Sequence, residues 1–287
     1  MQTRKKIIMG GMNKLRHSLA AAMFILAAPT LAEGPEFSIG GHISPQSYPG
    51  MSLVWHDEFS GNRLDSSSWS HETGTGRKGW GNNEQQYYRP ENTQVRDGFL
   101  VITAQSGEHH SNAFTSSRIV TRDLQEFRYG RIDVRALLPE GQGIWPAVWM
   151  LGATMPDRGW PSAGEIDIVE MVGGEGRENT VHGTLHWGQG GGHFYEGGAI
   201  TLPAGKYGDF FHVFSIVWDE NSIRWLVDDF QYFEKSLASS EFEAFREPFY
   251  LLVKLAVGGD WPGSPDHTTQ FPQHLVVDYI RVFQHAP

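Results

Sequence analysis

No residue of this 287-residue chain is cysteine, which excludes disulfide staples, a thiolate nucleophile and a cysteine-linked lipid anchor. Stability has to come from a large core instead. Positive charge is scarce as well: 23 Lys and Arg face 33 Asp and Glu, a formal net charge of −10. Such a surface does not attract nucleic acid or an anionic membrane, and it weakly disfavours sulfated glycans. Long apolar runs are missing too, since no stretch reaches the ~20 residues that a membrane-spanning helix requires.

The longest apolar run, Leu19 to Ala28, belongs to a different pattern. In MNKLRHSLAAAMFILAAPTLA, residues 12–32, Lys14 and Arg16 precede the run and Thr30-Leu31-Ala32 follows it as a small-x-small cleavage site. This predicts a secretory signal peptide over 1–32, with Met12 the better start, and a secreted product, extracellular or periplasmic. Cleavage after Ala32 would remove five basic residues and no acidic one, leaving 18 against 33, a charge of about −15. Residues 33–50, EGPEFSIGGHISPQSYPG, are rich in Gly, Pro and Ser without periodicity and read as a linker or unstructured lead-in. The remainder, 51–287, shows neither repeat nor second composition zone and reads as one domain.

Within it, strand-like runs follow one another: 98–105, 116–122, 129–138, 180–187, 211–219, 222–233, 249–258 and 274–283, punctuated by Gly, Pro, Asn or Asp. Only SSEFEAF, 239–245, has a helical look. Many short strands in one block predict an all-β fold, an antiparallel β-sandwich. All ten Trp lie beyond the signal segment. Any one is readily a core residue, but as a set they suit stacking against the apolar C–H faces of pyranose rings.

Three segments bear on chemistry. In VHGTLHW, His182 and His186 sit on one face of a strand with Cα atoms ~13 Å apart, too far for one tetrahedral metal site. His186, beside Trp187, is the better candidate for substrate contact. The glycines of GQGGGHF, 188–194, lack the Lys-Ser/Thr and helix of a phosphate loop and read as a mobile loop at a cleft rim. In GEIDIVEMVG, 164–173, Glu165 and Asp167 share a strand face while Glu170 falls on the other. Either the strand ends before Glu170, or a β-bulge inserts one residue and returns Glu170 to the face of the other two. With the bulge, crowding raises at least one carboxyl pKa, as a general acid requires, and paired carboxylates serve glycosidic hydrolysis.

EIDIVE, preceded by GIWPAVWMLG and followed by VHGTLHW, resembles the catalytic core of glycoside hydrolase family 16, in particular its laminarinase-type endo-β-1,3-glucanases. WHDEFSG, WGNNEQQYY, FRYGRIDVRA, LAVGGDWPGSPD and VDYIRVF extend the resemblance over almost the whole mature chain. It implies a β-jelly-roll sandwich with a concave substrate groove, Glu165 as nucleophile, Glu170 as general acid/base, and Asp167 between them tuning the nucleophile. It also implies sugar contacts from Asn83 and Arg118, and groove aromatics at Trp145, Trp149 and Trp160. The expected partner is a β-glucan polysaccharide, with mixed-linkage glucan, an agar-type galactan or a purely glucan-binding role as alternatives. No cofactor is needed for the chemistry, and a monomer is expected. A structural calcium ion is suggested at Glu58, Asp278 and the Gly98 carbonyl. The chain departs from the family pattern at Lys254, where Asn is frequent, and at Asp229, where Gly is usual.

Overall fold

The computed structural model describes residues 40–285, so the expected signal peptide over 1–32 and the first part of the expected lead-in lie outside the described residues. Two sheets pack face to face around one core. The first runs in the order Gly192–Thr201, Thr180–Gln189, Glu165–Glu170, Ile144–Gly152, Phe249–Val257, Arg118–Val120, Ser70–Glu72, with every neighbour antiparallel. The second centres on Gln273–His285, flanked by Gly130–Leu137 and Phe99–His109. One pair in it, Gln86–Tyr88 with Asn112–Ser116, is parallel, an exception to the antiparallel expectation. Apolar residues from facing strands, such as Ile166, Val148 and Val253 on one side and Val134, Ile216 and Ile280 on the other, close the interior.

Tight turns make the punctuation visible in the sequence. Asp97-Gly98, His110-Ser111, Gly190-Gly191 and Asp228-Asp229 each carry positive φ at both central positions, between pairs in register at Arg96 and Phe99, His109 and Asn112, Gln189 and Gly192, and Val227 and Phe230. These are type I′ hairpin turns, whose twist matches that of the strands they join. The run 222–233 is therefore two strands rather than one. Asp229 occupies a left-handed position that Gly would fill without strain, and its carboxylate binds Arg131 at 2.6 Å. The expected loop 188–194 is likewise a hairpin joining two ten-residue strands. The segment 239–245 forms a short 3-10 stretch, Ser240–Arg246. Residues 40–50 are tied down: Gly41 bridges Phe211, the Ser44 amide donates to the Tyr279 hydroxyl at 2.8 Å, and the Tyr48 hydroxyl donates to Asp133 at 2.7 Å.

Candidate active site

The strand Glu165–Glu170 continues through Glu170 by way of a bulge. Against its neighbour, Asp167 pairs with Trp149, Val169 with Val148 and Glu170 with Ala147, so one partner residue answers two on the bulged strand. Ile168 and Val169 both enter the core, and the face of Glu165 and Asp167 is regained at Glu170. The opposite sheet braces this point. Trp225, fully buried, donates its indole N–H to the Asp167 carbonyl at 2.8 Å, and Gly183 leaves the space that the ring fills: a Cβ there would meet Trp225 at 2.3 Å.

The three carboxylates lie along a cleft of about 840 Å³ whose walls are largely aromatic, with Trp80, Trp145, Trp149, Trp160 and Trp261 among them. Trp160 donates to Glu165 Oε2 at 2.9 Å and Trp145 to Glu170 Oε1 at 3.1 Å, each N–H favouring the anion it meets. His186 Nε2 is 3.2 Å from Asp167 Oδ2 and 3.9 Å from Glu165 Oε1, and its Nδ1 is 2.9 Å from His193 Nε2. Burial, then the charge of Asp167, pushes Glu165 up to about 8. Burial and the neighbouring Glu170 raise Asp167 well above the usual carboxylate range, and burial raises Glu170. Three ionised carboxylates are not sustained in so dry and crowded a place. The trio keeps at least one proton near neutral pH.

The expected binding residues divide. Arg118 lies between Trp80 and Trp149, its guanidinium carbon 4.5 and 5.0 Å from their ring centroids, and it pairs with Glu72. Trp145 and Trp149 are mostly buried and show the cleft only part of their rings, whereas Trp160 is 47% exposed. Asn83 is different: at φ 55° its amide turns onto Asp260, at 2.9 and 3.1 Å, and Asn82 lines the cleft in its place. His193 and Tyr195 also line the cleft, stacked near His186; His193 lies within the segment expected to be a mobile loop and Tyr195 follows it directly. Their signal was the alternation that follows Gly192: hairpin register sets Tyr195 beside His186.

The expected calcium ligands have other partners. Glu58 accepts two hydrogen bonds from Arg281, at 2.7 and 2.8 Å, Asp278 accepts one from Arg135 at 2.6 Å, and Gly98 serves a hairpin turn. Carboxylates already neutralised by guanidinium groups do not fit a calcium ion in this arrangement. Among the described residues, Glu165, Asp167 and His186 alone bring three donor atoms of this kind within 4.8 Å of one another. Their contacts are accounted for by the carboxylate cluster itself, and no metal role is assigned to them.

A strand bulged to align three carboxylates along an aromatic cleft, on one sheet of a jelly-roll sandwich, defines a polysaccharide hydrolase of one class. Residues 80–281 match the model of glycosyl hydrolases family 16, and the chain belongs to that family. It is 40% identical over 257 residues to a β-glucanase of Rhodothermus marinus, covering 82% of this chain and 86% of that one. It is 37% identical over 241 residues to the clotting factor G alpha subunit of Tachypleus tridentatus, covering 83% of this chain but only 35% of that one, so the chain spans about a third of that relative. Among solved structures, the catalytic domain of an endo-1,3-beta-glucanase (laminarinase) from Thermotoga petrophila superposes with a TM-score of 0.76 at 42% identity, covering 83% of this chain and 99% of that one.

Proposed function

We propose that this chain is an exported endo-hydrolase of β-1,3-glucan, working with retention of anomeric configuration. The observation that carries the reading is the bulge at Ile168 and Val169, which returns Glu170 to the face of Glu165 and Asp167. Glu165 attacks the anomeric carbon while Glu170 gives its proton to the departing glycosidic oxygen, forming a glycosyl ester on Glu165. Glu170, now a carboxylate, takes a proton from water, which attacks the same carbon and releases Glu165. Burial raises Glu170, which holds the proton this step needs, and burial holds Asp167 protonated beside it. Burial comes first in raising Glu165, and a neutral Asp167 removes the repulsion that adds to it; His186 Nε2 stands 3.2 Å from Asp167. Aromatic walls supply the stacking faces, and a cleft lying along a sheet suits internal bonds of a long chain.

Substrate choice rests on the laminarinase resemblance and on the named laminarinase neighbour. Export rests on the basic, apolar and small-residue pattern of 12–32. Parallel measurement of reducing ends released from laminarin, lichenan, agarose and carrageenan tests the reading. Laminarin is expected to be cut fastest, giving mixed oligosaccharides early. Faster cleavage of agarose, glucose as the sole early product, or binding of laminarin without cleavage would each replace it with another.

A further inference from the structure

The cleft carries a second charged cluster that the reaction above does not use. Lys254 is buried, and its ammonium donates to Glu84 Oε1 at 2.9 Å. The other oxygen of Glu84 accepts from Gln86 Nε2 and from the Tyr88 hydroxyl, both at 2.8 Å. Burial alone would raise the Glu84 pKa, but Lys254, the Tyr88 hydroxyl and Arg118 hold it below the ordinary value, so the pair is ionic. A buried ion pair is a costly way to fill space, because apolar residues of similar size do so at least as well. Its place in the sheet gives it another use.

Register sets Lys254 beside Ala147, and Ala147 beside Glu170. With neighbouring strands about 4.8 Å apart, the Lys254 and Glu170 Cα atoms are about 10 Å apart in one cross-strand row. The residue between them is alanine, whose methyl group leaves the row open above it. The Lys254 ammonium stands 3.9 Å from the centroid of the Trp145 ring, and that same indole donates to Glu170 Oε1. We propose that the Lys254–Glu84 pair controls Glu170, with Lys254 a positioning residue that acts through Trp145 and through its own charge. This rests on the reading of Glu170 as the acid/base.

The groups around Glu170 divide by element. Asp167 and Glu165 share its strand, and His182 and His186 face it from the next. Lys254 faces it from the far side of Ala147, with Arg118 and Glu72 beyond in the same row. Glu84 closes over Lys254. Burial raises Glu170, Lys254 is foremost among the groups that pull it back down, and Glu84 pushes it up. The two members of the ion pair therefore act on Glu170 with opposite sign. A pair too distant or too well screened to reach Glu170 would leave its titration unmoved.

The test is a pair of opposite shifts. Glutamate labelled with carbon-13 at the side-chain carboxyl is titrated in the wild-type chain and in Lys254→Met, Glu84→Gln and the double variant, with Glu170→Gln identifying the resonance. Melting temperatures and the pH profile of kcat/KM on laminarin are measured alongside. Lys254→Met is expected to move the Glu170 midpoint and the basic limb up by about half a unit or more, Glu84→Gln to move both down, and the double variant to fall between. Unmoved midpoints in folded Lys254→Met or Glu84→Gln would overturn the proposal, whatever the melting temperatures do. Should Lys254→Met fail to fold, the downward shift in Glu84→Gln decides alone. A wild-type chain that leaves laminarin intact would instead count against the glucanase reading, while the titration still decides the coupling.

Discussion

The indole N–H of Trp225 and the backbone carbonyl of Asp167 are hydrogen-bonded at 2.8 Å across the interior of the sandwich. The chemistry of one sheet is thereby braced by the core of the other, at the residue where the ladder skips. Trp225→Phe keeps most of the packing and removes the donor. It is expected to cost about 1–3 kcal/mol of stability and to lower kcat roughly ten- to a hundred-fold through misplaced carboxylates. Thermal unfolding and steady-state rates on laminarin check both parts. Unchanged kcat would mean that the bulge holds its geometry without this bond.

Burial of the Glu165 carboxyl makes stability depend on pH. In the unfolded chain Glu165 titrates near 4.5, and in the folded one near 8. Below about 4.5 it is protonated in both states and contributes nothing. As pH rises through that window the unfolded chain gives up the proton first, so the folded state loses stability until the pH passes about 8. Glu165→Gln removes this penalty. The variant is expected to be more stable than the parent by about 1–3 kcal/mol at pH 7, with the difference vanishing below pH 4.5, while its activity is nearly abolished. Denaturant unfolding at pH 4 and pH 7 measures it, and equal stability at both values would contradict it.

His193 stands on the second strand of the Gly190-Gly191 hairpin, 4.5 Å in ring centroid from Trp160 and stacked on His186. His193→Ala is expected to raise KM for laminarin two- to tenfold, the worth of about one lost ring contact, with a smaller effect on kcat. An unchanged KM would remove His193 from the substrate-binding wall.

Because Arg281 and Arg135 already hold Glu58 and Asp278, the melting temperature is expected to stay the same in EDTA and in added calcium. A rise of several degrees with calcium, reversed by EDTA, would show that the cation displaces these arginines.

Much of this was legible in the sequence, for reasons that can be named. Period-two alternation marked the strands that present one polar face, and the broken alternation at Glu170 left two readings that the register now separates in favour of the bulge. Strands buried on both faces were harder. Ile144–Gly152 is wholly buried, so IWPAVWMLG shows no alternation. The run 222–233 hid a turn because Asp-Asp is a less familiar occupant of left-handed positions than Asn-Gly. Asn83 was placed in the groove by family pattern, but its φ of 55° is set by a local turn that residue type alone does not reveal. The Lys254–Glu84 contact joins residues 170 positions apart, and only the register across three strands aligns it with Glu170.

The central claim is that Glu165 and Glu170, aligned by the bulge, cleave by double displacement. A proton NMR time course of laminarin digestion, recorded before mutarotation equalises the anomers, tests it most directly. The account predicts that newly formed reducing ends appear first as the β-anomer and that the α-anomer grows in only later. First appearance of the α-anomer would contradict it.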